Sequence, residues 1–199
     1  METIIAASQN RGKIKEMEAI TKEFGMQIIS RGEAGVADID ITEDGATFEE
    51  NSLKKAREIM KLCGKATIAD DSGVEVDALG GEPGIFSARY AGAECDDKKN
   101  RDKLLKEMEG VPLEKRTARF VSVISMAFPS GSEITARGEC EGHIAFEERG
   151  AGGFGYDSLF IPIGHGKTFA ELKPEEKNAI SHRANALKLL RVNLERQNV

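Results

Sequence analysis

The first thirty residues constrain the fold most. Thr3-Ile4-Ile5-Ala6-Ala7 is a short apolar run of strand character. It leads into a polar loop, Ser8-Gln9-Asn10-Arg11-Gly12-Lys13, and then into a segment with Ile14, Met17, Ile20 and Phe24 at helical spacing. Gly25 stands where a helix commonly ends, and Gln27-Ile28-Ile29-Ser30 reads as a second strand. A β-loop-α-β opening points to the α/β class. It also puts a polar loop at a helix N-terminus, where backbone amides attract phosphate and Lys13 adds a mobile positive charge. The loop lacks both the G-x-x-x-x-G-K-[ST] and the G-x-G-x-x-G spacing, so alone it is equally compatible with a plain turn and a surface lysine.

A chain of 199 residues is long enough for one large domain or one domain of two lobes. A net charge of −6 argues against nucleic acid as a partner, yet leaves room for a local basic pocket around a small anion. No apolar run approaches the ~20 residues of a membrane helix. Met1 and Glu2 lack the basic start of a signal peptide, and Cys63, Cys95 and Cys140 are widely spaced with no C-x-x-C. The expectation is a cytoplasmic protein with reduced thiols.

Chemistry is concentrated in Ile68-Ala69-Asp70-Asp71-Ser72-Gly73. Residues 65–69 read as a buried strand that ends at the two acids, the edge where α/β proteins place ligands. Adjacent strand side chains point to opposite faces, so Asp70 and Asp71 are expected to do different jobs. One holds a metal or activates water; the other ties down the loop. Upstream, Asp38, Asp40, Glu43 and Asp44 lie in an acidic loop that can supply one metal ligand. Thr47-Phe48-Glu49-Glu50 then reads as a capping box, with Glu50 reaching back to the Thr47 amide. The helix it opens is expected to bury Phe48, Leu53, Ala56, Ile59, Met60 and Cys63, with Lys54 and Lys55 mid-helix and close in sequence to the acids.

Further on, Asp96 is positioned to cap a helix through Glu109 that buries Leu104, Leu105 and Met108. Residues 117–128 are rich in β-formers, and Glu133 opens a return strand after the turn Pro129-Ser130-Gly131-Ser132, so the sheet is expected to be mixed. Residues 158–162 read as another strand. Gly150-Ala151-Gly152-Gly153-Phe154-Gly155-Tyr156-Asp157 offers an aromatic face for a base and an acid to accept from a ring N–H. The same residues fit a glycine-rich bulge over a buried Phe. Near the end, Ser181 is placed to cap a helix that buries Ala184, Leu187, Leu190 and Leu194. His182 and Arg183 fall in its first turn, where cations oppose the helix dipole unless an anion or carbonyl lies nearby.

These stretches occur in one order: Ser8-x-Asn10-x-x-Lys13, Thr47-Phe48-Glu49-Glu50-Asn51, Ala69-Asp70-Asp71-Ser72-Gly73, Gly84-Ile85-Phe86-Ser87-Ala88-Arg89-Tyr90, Gly153-Phe154-Gly155-Tyr156-Asp157, and Lys177 with Ser181-His182-Arg183. Taken together they resemble the inosine triphosphate pyrophosphatase, or Ham1-like, family, over essentially the whole chain. The resemblance implies an α/β fold with an elongated mixed β-sheet flanked by helices, a single domain over residues 1–199 whose two lobes enclose a central active-site cleft, and a homodimer. It implies Mg²⁺-dependent hydrolysis of ITP, dITP and XTP to the monophosphate and pyrophosphate, which clears deaminated purines from the nucleotide pool.

Carried over residue by residue, the resemblance assigns Ser8, Gln9, Asn10, Arg11, Gly12 and Lys13 to phosphate. Asp71 becomes the catalytic, metal-binding acid and Ser72 a nucleotide contact. Phe154, Gly155, Tyr156, Asp157, Lys177, His182 and Arg183 line the base pocket. Lys55 joins Lys13 in neutralising the triphosphate, and Asp70 takes a supporting role. Where the family commonly has a metal-binding glutamate before T-F-E-E-N, this chain has Thr42, so Glu43 is the substitute, with Asp40 behind it. Two other readings fit the same residues: a Maf-like pyrophosphatase for modified nucleotides, and a nucleotide sensor without turnover.

Overall fold

The structure, a computed structural model, describes residues 3–36, 39 and 41–197. Six strands form one sheet in the order β2-β1-β3-β4-β5-β6. They are β1 (Thr3–Ala6), β2 (Gln27–Ser30), β3 (Thr67–Val76), β4 (Thr117–Ala127), β5 (Glu133–Ile144) and β6 (Phe160–Pro162). The helices are α1 (Arg11–Thr21), α2 (Phe48–Cys63), α3 (Asp97–Glu107), α4 (Pro174–Ile180) and α5 (His182–Gln197). β1 pairs parallel with both β2 and β3, and β5 pairs antiparallel with β6. The sheet is therefore mixed, as the change from a crossover start to a hairpin region predicts.

The chain separates into two compact units. The first comprises residues 1–71, 122–138 and 182–199; the second comprises 72–121 and 139–181. β3, β4 and β5 each contribute to both.

In the first unit, Ile4, Met17, Ile28, Ile68, Ile124, Ala184, Leu187 and Leu190 form one apolar cluster. Ile5, Ala56, Ile59, Ala69 and Ala127 form a second. All four apolar positions expected of the terminal helix are buried. Asn10 caps α1, accepting from the Lys13 N–H, and the first helical stretch ends at Gly25 in the left-handed region, φ 73°. Glycine adopts that conformation without steric cost. The side chain of Phe24 and the acids Asp38 and Asp40 lie outside the described residues.

The second unit packs Val74, Val76, Leu104, Met108, Phe120, Ile144, Leu159, Phe160 and Phe169 together. Phe120, Phe160 and Phe169 meet with ring centroids 4.6–5.7 Å apart. Asp96 caps α3 by accepting from the Lys99 N–H.

Two local expectations are corrected, and one element was not read from the sequence. β3 does not stop at the acids but runs through them to Val76. Aspartates are poor strand residues because a buried carboxylate is costly; here each has cationic partners, so pairing continues. Glu50 accepts from the Ala46 N–H at 2.7 Å rather than from the Thr47 amide, although Thr47 does accept from the Glu50 N–H. Residues 174–180 form a short helix where no helix is expected from apolar spacing, opened by Pro174 at its first position.

Candidate active site

Within the first unit the site grows from the C-terminal end of β1. The Ala7 N–H donates to the Ile68 carbonyl at 2.8 Å, setting the loop after β1 beside the acid-bearing part of β3. Ser8 Oγ accepts from the Asn10 N–H and Asn10 Oδ1 from the Lys13 N–H, both at 3.1 Å. These two residues therefore shape the loop that carries Gln9, Arg11, Gly12 and Lys13. Arg11 is exposed and Lys13 half-buried.

Asp70 and Asp71 face different partners, as strand geometry requires. Asp70 is fully enclosed. Lys13 Nζ lies 2.8 Å from its Oδ1, Ser122 Oγ donates to its Oδ2 at 2.6 Å, and the Arg183 guanidinium spans both oxygens at 3.2 Å. Burial on its own pushes this carboxyl up, but Arg183 and Lys13 outweigh it and hold it well below the usual carboxylate range. Arg183, 1% exposed, also pairs with Glu16 of α1. The anion that the α5 first turn demanded is thus present as Asp70 and Glu16.

Asp71 meets Lys55. The Lys55 ammonium donates to Asp71 Oδ1 at 2.9 Å, to Glu43 Oε1 at 2.6 Å and to the Asp70 carbonyl at 2.9 Å. Mid-helix in α2, this lysine is buried rather than solvated. Burial alone lowers its pKa; Asp71 and Glu43 more than offset that and raise it. For Asp71 burial dominates, and its carboxyl is raised despite Lys55 and Lys13. Its Oδ2 is buried and has no hydrogen-bond partner among the described residues. The loop bearing Glu43 is held by Asn51, whose Oδ1 accepts from the Gly45 N–H at 2.8 Å. A Cβ at position 45 would lie 2.7 Å from that same oxygen, so glycine permits the approach. His182, in the first turn of α5, is buried.

Within the second unit, Asp157, Lys177 and Phe154 form one assembly. Lys177 Nζ donates to Asp157 Oδ2 at 2.6 Å, and the Phe154 N–H donates to the same oxygen at 2.9 Å. The ammonium lies 5.1 Å from the Phe154 ring centroid and 5.4 Å from that of Phe169, within cation–π range. Gly153 has φ 72°, and a Cβ there would collide with the Asp157 carboxylate. Tyr156 is buried and its hydroxyl donates to the Ser87 carbonyl at 2.8 Å. Ser72, half-buried, stands at the start of this unit's part of β3.

The Ham1 family model matches residues 4–193. The chain belongs to the Ham1 family. It is 50% identical to the dITP/XTP pyrophosphatase of Desulforamulus reducens over 186 residues, 93% of this chain and 92% of that protein. It is 47% identical to the dITP/XTP pyrophosphatase of Bacillus subtilis over 96% of each chain. Among solved structures, the Staphylococcus aureus Ham1 protein superposes with a TM-score of 0.85 at 43% identity, covering 98% of this chain and all of that one. A HAM1 protein from Coxiella burnetii gives 0.86 at 41% identity with the same coverage.

For this Ham1-family chain the donor set suits a hard divalent cation. Asp71 Oδ2 is a buried carboxylate oxygen with no hydrogen-bond partner among the described residues, and Glu43 is drawn close to Asp71 by their shared lysine. No group of three or more His, Cys, Asp or Glu among the described residues could hold a metal ion. A pair of carboxylates matches a cation that keeps most of its ligands as water and substrate oxygen. Sequence reasoning missed Ser122 and Glu16, and it named Asn51 within the Thr47–Asn51 motif without giving it a role. Ser122 had a signal: a hydroxyl in the otherwise apolar run Phe120-Val121-Ser122-Val123-Ile124 needs a buried partner.

Proposed function

We propose that this Ham1-family chain is a nucleoside triphosphate pyrophosphatase that hydrolyses ITP, dITP and XTP to the monophosphate and pyrophosphate, with Mg²⁺ as its metal. The observation that carries the chemistry is Asp71: a buried carboxylate clamped at one oxygen by Lys55 and with no hydrogen-bond partner among the described residues at the other. Three cations here, Lys13, Lys55 and Arg183, face four carboxylates, Asp70, Asp71, Glu16 and Glu43. A triphosphate brings close to four more negative charges. These three cations are already matched, so substrate binding calls for added positive charge. Asp71 and Glu43 would hold Mg²⁺, which when bound neutralises charge on the phosphates.

Water attacks the α-phosphorus and the bond to the bridging oxygen of the leaving pyrophosphate breaks. Asp71, raised by burial, orients that water or takes its proton. The helix-capping loop from Ser8 to Lys13 and the Lys55 ammonium bind phosphate oxygens. Asp70 fixes Lys13, and Arg183 acts through Asp70. Ser72 contacts the nucleotide. Phe154, Gly155, Tyr156, Asp157, Lys177 and His182 serve the base. Hypoxanthine and xanthine present a 6-oxo acceptor to a donor such as Lys177 or His182. Adenine presents a 6-amino donor instead, and an unpaired buried donor costs about 1–3 kcal/mol.

The expected assembly is a homodimer working in the cytoplasm, which sedimentation velocity and cell fractionation test. The activity is tested by pyrophosphate release over ITP, dITP, XTP, ATP, GTP and UTP, with and without Mg²⁺. Turnover of ITP, dITP and XTP far above ATP and GTP is expected. Equal turnover of ATP, or release of orthophosphate, sinks the reading. Asp71→Asn is expected to bind nucleotide while losing nearly all turnover.

A further inference from the structure

We infer that Asp97 and Arg101 of helix α3 are positioning residues for base recognition, clamping the backbone of Gly155 between the two aromatic residues of the base loop. The inference rests on the proposal that residues 154–157 hold the base. Asp97 Oδ2 accepts the Gly155 N–H at 2.8 Å, and Arg101 Nη1 donates to the Gly155 carbonyl at 2.9 Å. Both main-chain polar groups of one residue are thus held by one helix. Asp97 and Arg101 are spaced i,i+4, which puts them on the same helical face. The Arg101 fork also donates from Nε to Glu148 Oε2 at 2.8 Å, an oxygen that Ser158 Oγ reaches at 3.0 Å. A lysine, with a single donor centre, cannot make both bonds in that geometry.

The loop needs such a clamp. Gly155 sits at φ 58°, in the left-handed region, outside any strand ladder. Glycine tolerates the conformation but confers no rigidity. Asp157 holds one side of it through the Phe154 N–H, and Ser87 receives the Tyr156 hydroxyl on the other. The centre is left to α3. That helix is itself fixed: Leu104 is buried, and Asn100 donates to the Ala88 carbonyl at 2.9 Å and accepts from the Ala91 N–H at 2.7 Å. Stacking on Phe154 depends on the plane of its ring, and small misplacements of a binding surface are expensive. Loosening Gly155 therefore weakens base binding and base discrimination. The chemical step is untouched, because Lys13, Lys55 and Asp71 belong to other elements.

The test uses the full chain with Asp97→Ala, Asp97→Asn, Arg101→Ala and Arg101→Lys, assayed for pyrophosphate release from dITP, XTP and dGTP with Mg²⁺. Circular dichroism melts accompany each variant. In Asp97→Ala and Arg101→Ala, KM for dITP should rise about tenfold, with kcat within about twofold of wild type and a reduced preference for dITP over dGTP. Asp97→Asn keeps an acceptor oxygen and should restore KM; Arg101→Lys should not. Should Arg101→Ala melt early, the exposed Asp97 pair carries the comparison. Unchanged KM in an active enzyme, or kcat falling at constant KM, overturns the clamp alone. Wild type that releases no pyrophosphate from dITP or XTP overturns the functional reading and the clamp with it.

Discussion

Asp70 shows how a carboxylate can be buried when both of its oxygens are partnered. Its carboxylate is shared by Lys13, Ser122 and Arg183, and none of these meets water freely. Removing one member of such a set strands the others, a cost of about 3–5 kcal/mol. Asp70→Asn should lower the urea midpoint accordingly and loosen Lys13, raising KM for the triphosphate. A midpoint within error of wild type contradicts the arrangement. Cys140 supplies a pH-dependent readout. Burial, with Glu141 adding to it, pushes its thiol up to about 11. At pH 8 roughly one molecule in a thousand then carries the reactive thiolate. Exposed Cys95 should react with Ellman's reagent in the native protein. Cys140 should react only as the pH climbs toward 11 or once the chain is unfolded, and fast labelling at pH 8 would contradict its placement. Roles at this scale were the least legible in the sequence. Lys55 reads as a mid-helix lysine near the acids without its exact partners showing, and the pairing of Arg183 with Asp70 and Glu16 stays hidden because those acids lie 113 and 167 residues away along the chain.

At the scale of elements the local code carried further. α1 is readable from Asn10, its apolar spacing and Gly25; α5 from Ala184, Leu187, Leu190 and Leu194; the β4–β5 hairpin from Pro129 to Ser132. Each signal lies inside the element it specifies or within a few residues of its ends. β3 failed that test. Its aspartates look like a terminus until the cations that neutralise them are in place, and those arrive from α1, α2 and α5. α4 carried a local signal in Pro174 followed by Glu175 and Glu176, but seven residues are too few for a hydrophobic period. Capping of α2 gives a prediction at this scale. Thr47→Ala removes an acceptor for the Glu50 N–H and should cost about 1 kcal/mol, lowering the melting temperature by about 2–4 °C. The Glu43 loop is tied separately, through Asn51 to Gly45 and through Glu50 to Ala46. KM and kcat should therefore stay near wild type; a large loss of activity would mean that the cap also sets the site.

For the whole molecule, the proposed metal is expected to serve turnover and not the fold. Neither Glu43 nor Asp71 belongs to any of the three apolar clusters. Chelation with EDTA should abolish turnover while leaving the far-ultraviolet circular dichroism unchanged, and added Mg²⁺ should restore the rate. Loss of secondary structure on chelation would show that the metal is structural.

The division of the chain among its two units has a consequence for synthesis. The first unit draws on three separate segments, and its apolar cluster includes Ala184, Leu187, Leu190 and Leu194 of α5. A ribosome that has made residues 1–181 has synthesised every segment of the second unit, but the first still lacks one wall of its core and the arginine that sits on Asp70. Asp70 is thus among the early residues to be made and among the last to gain all of its partners. A message truncated before α5 would yield a chain that keeps Asp70, Asp71, Lys13 and Lys55 but lacks His182, Arg183 and one wall of the first unit's core.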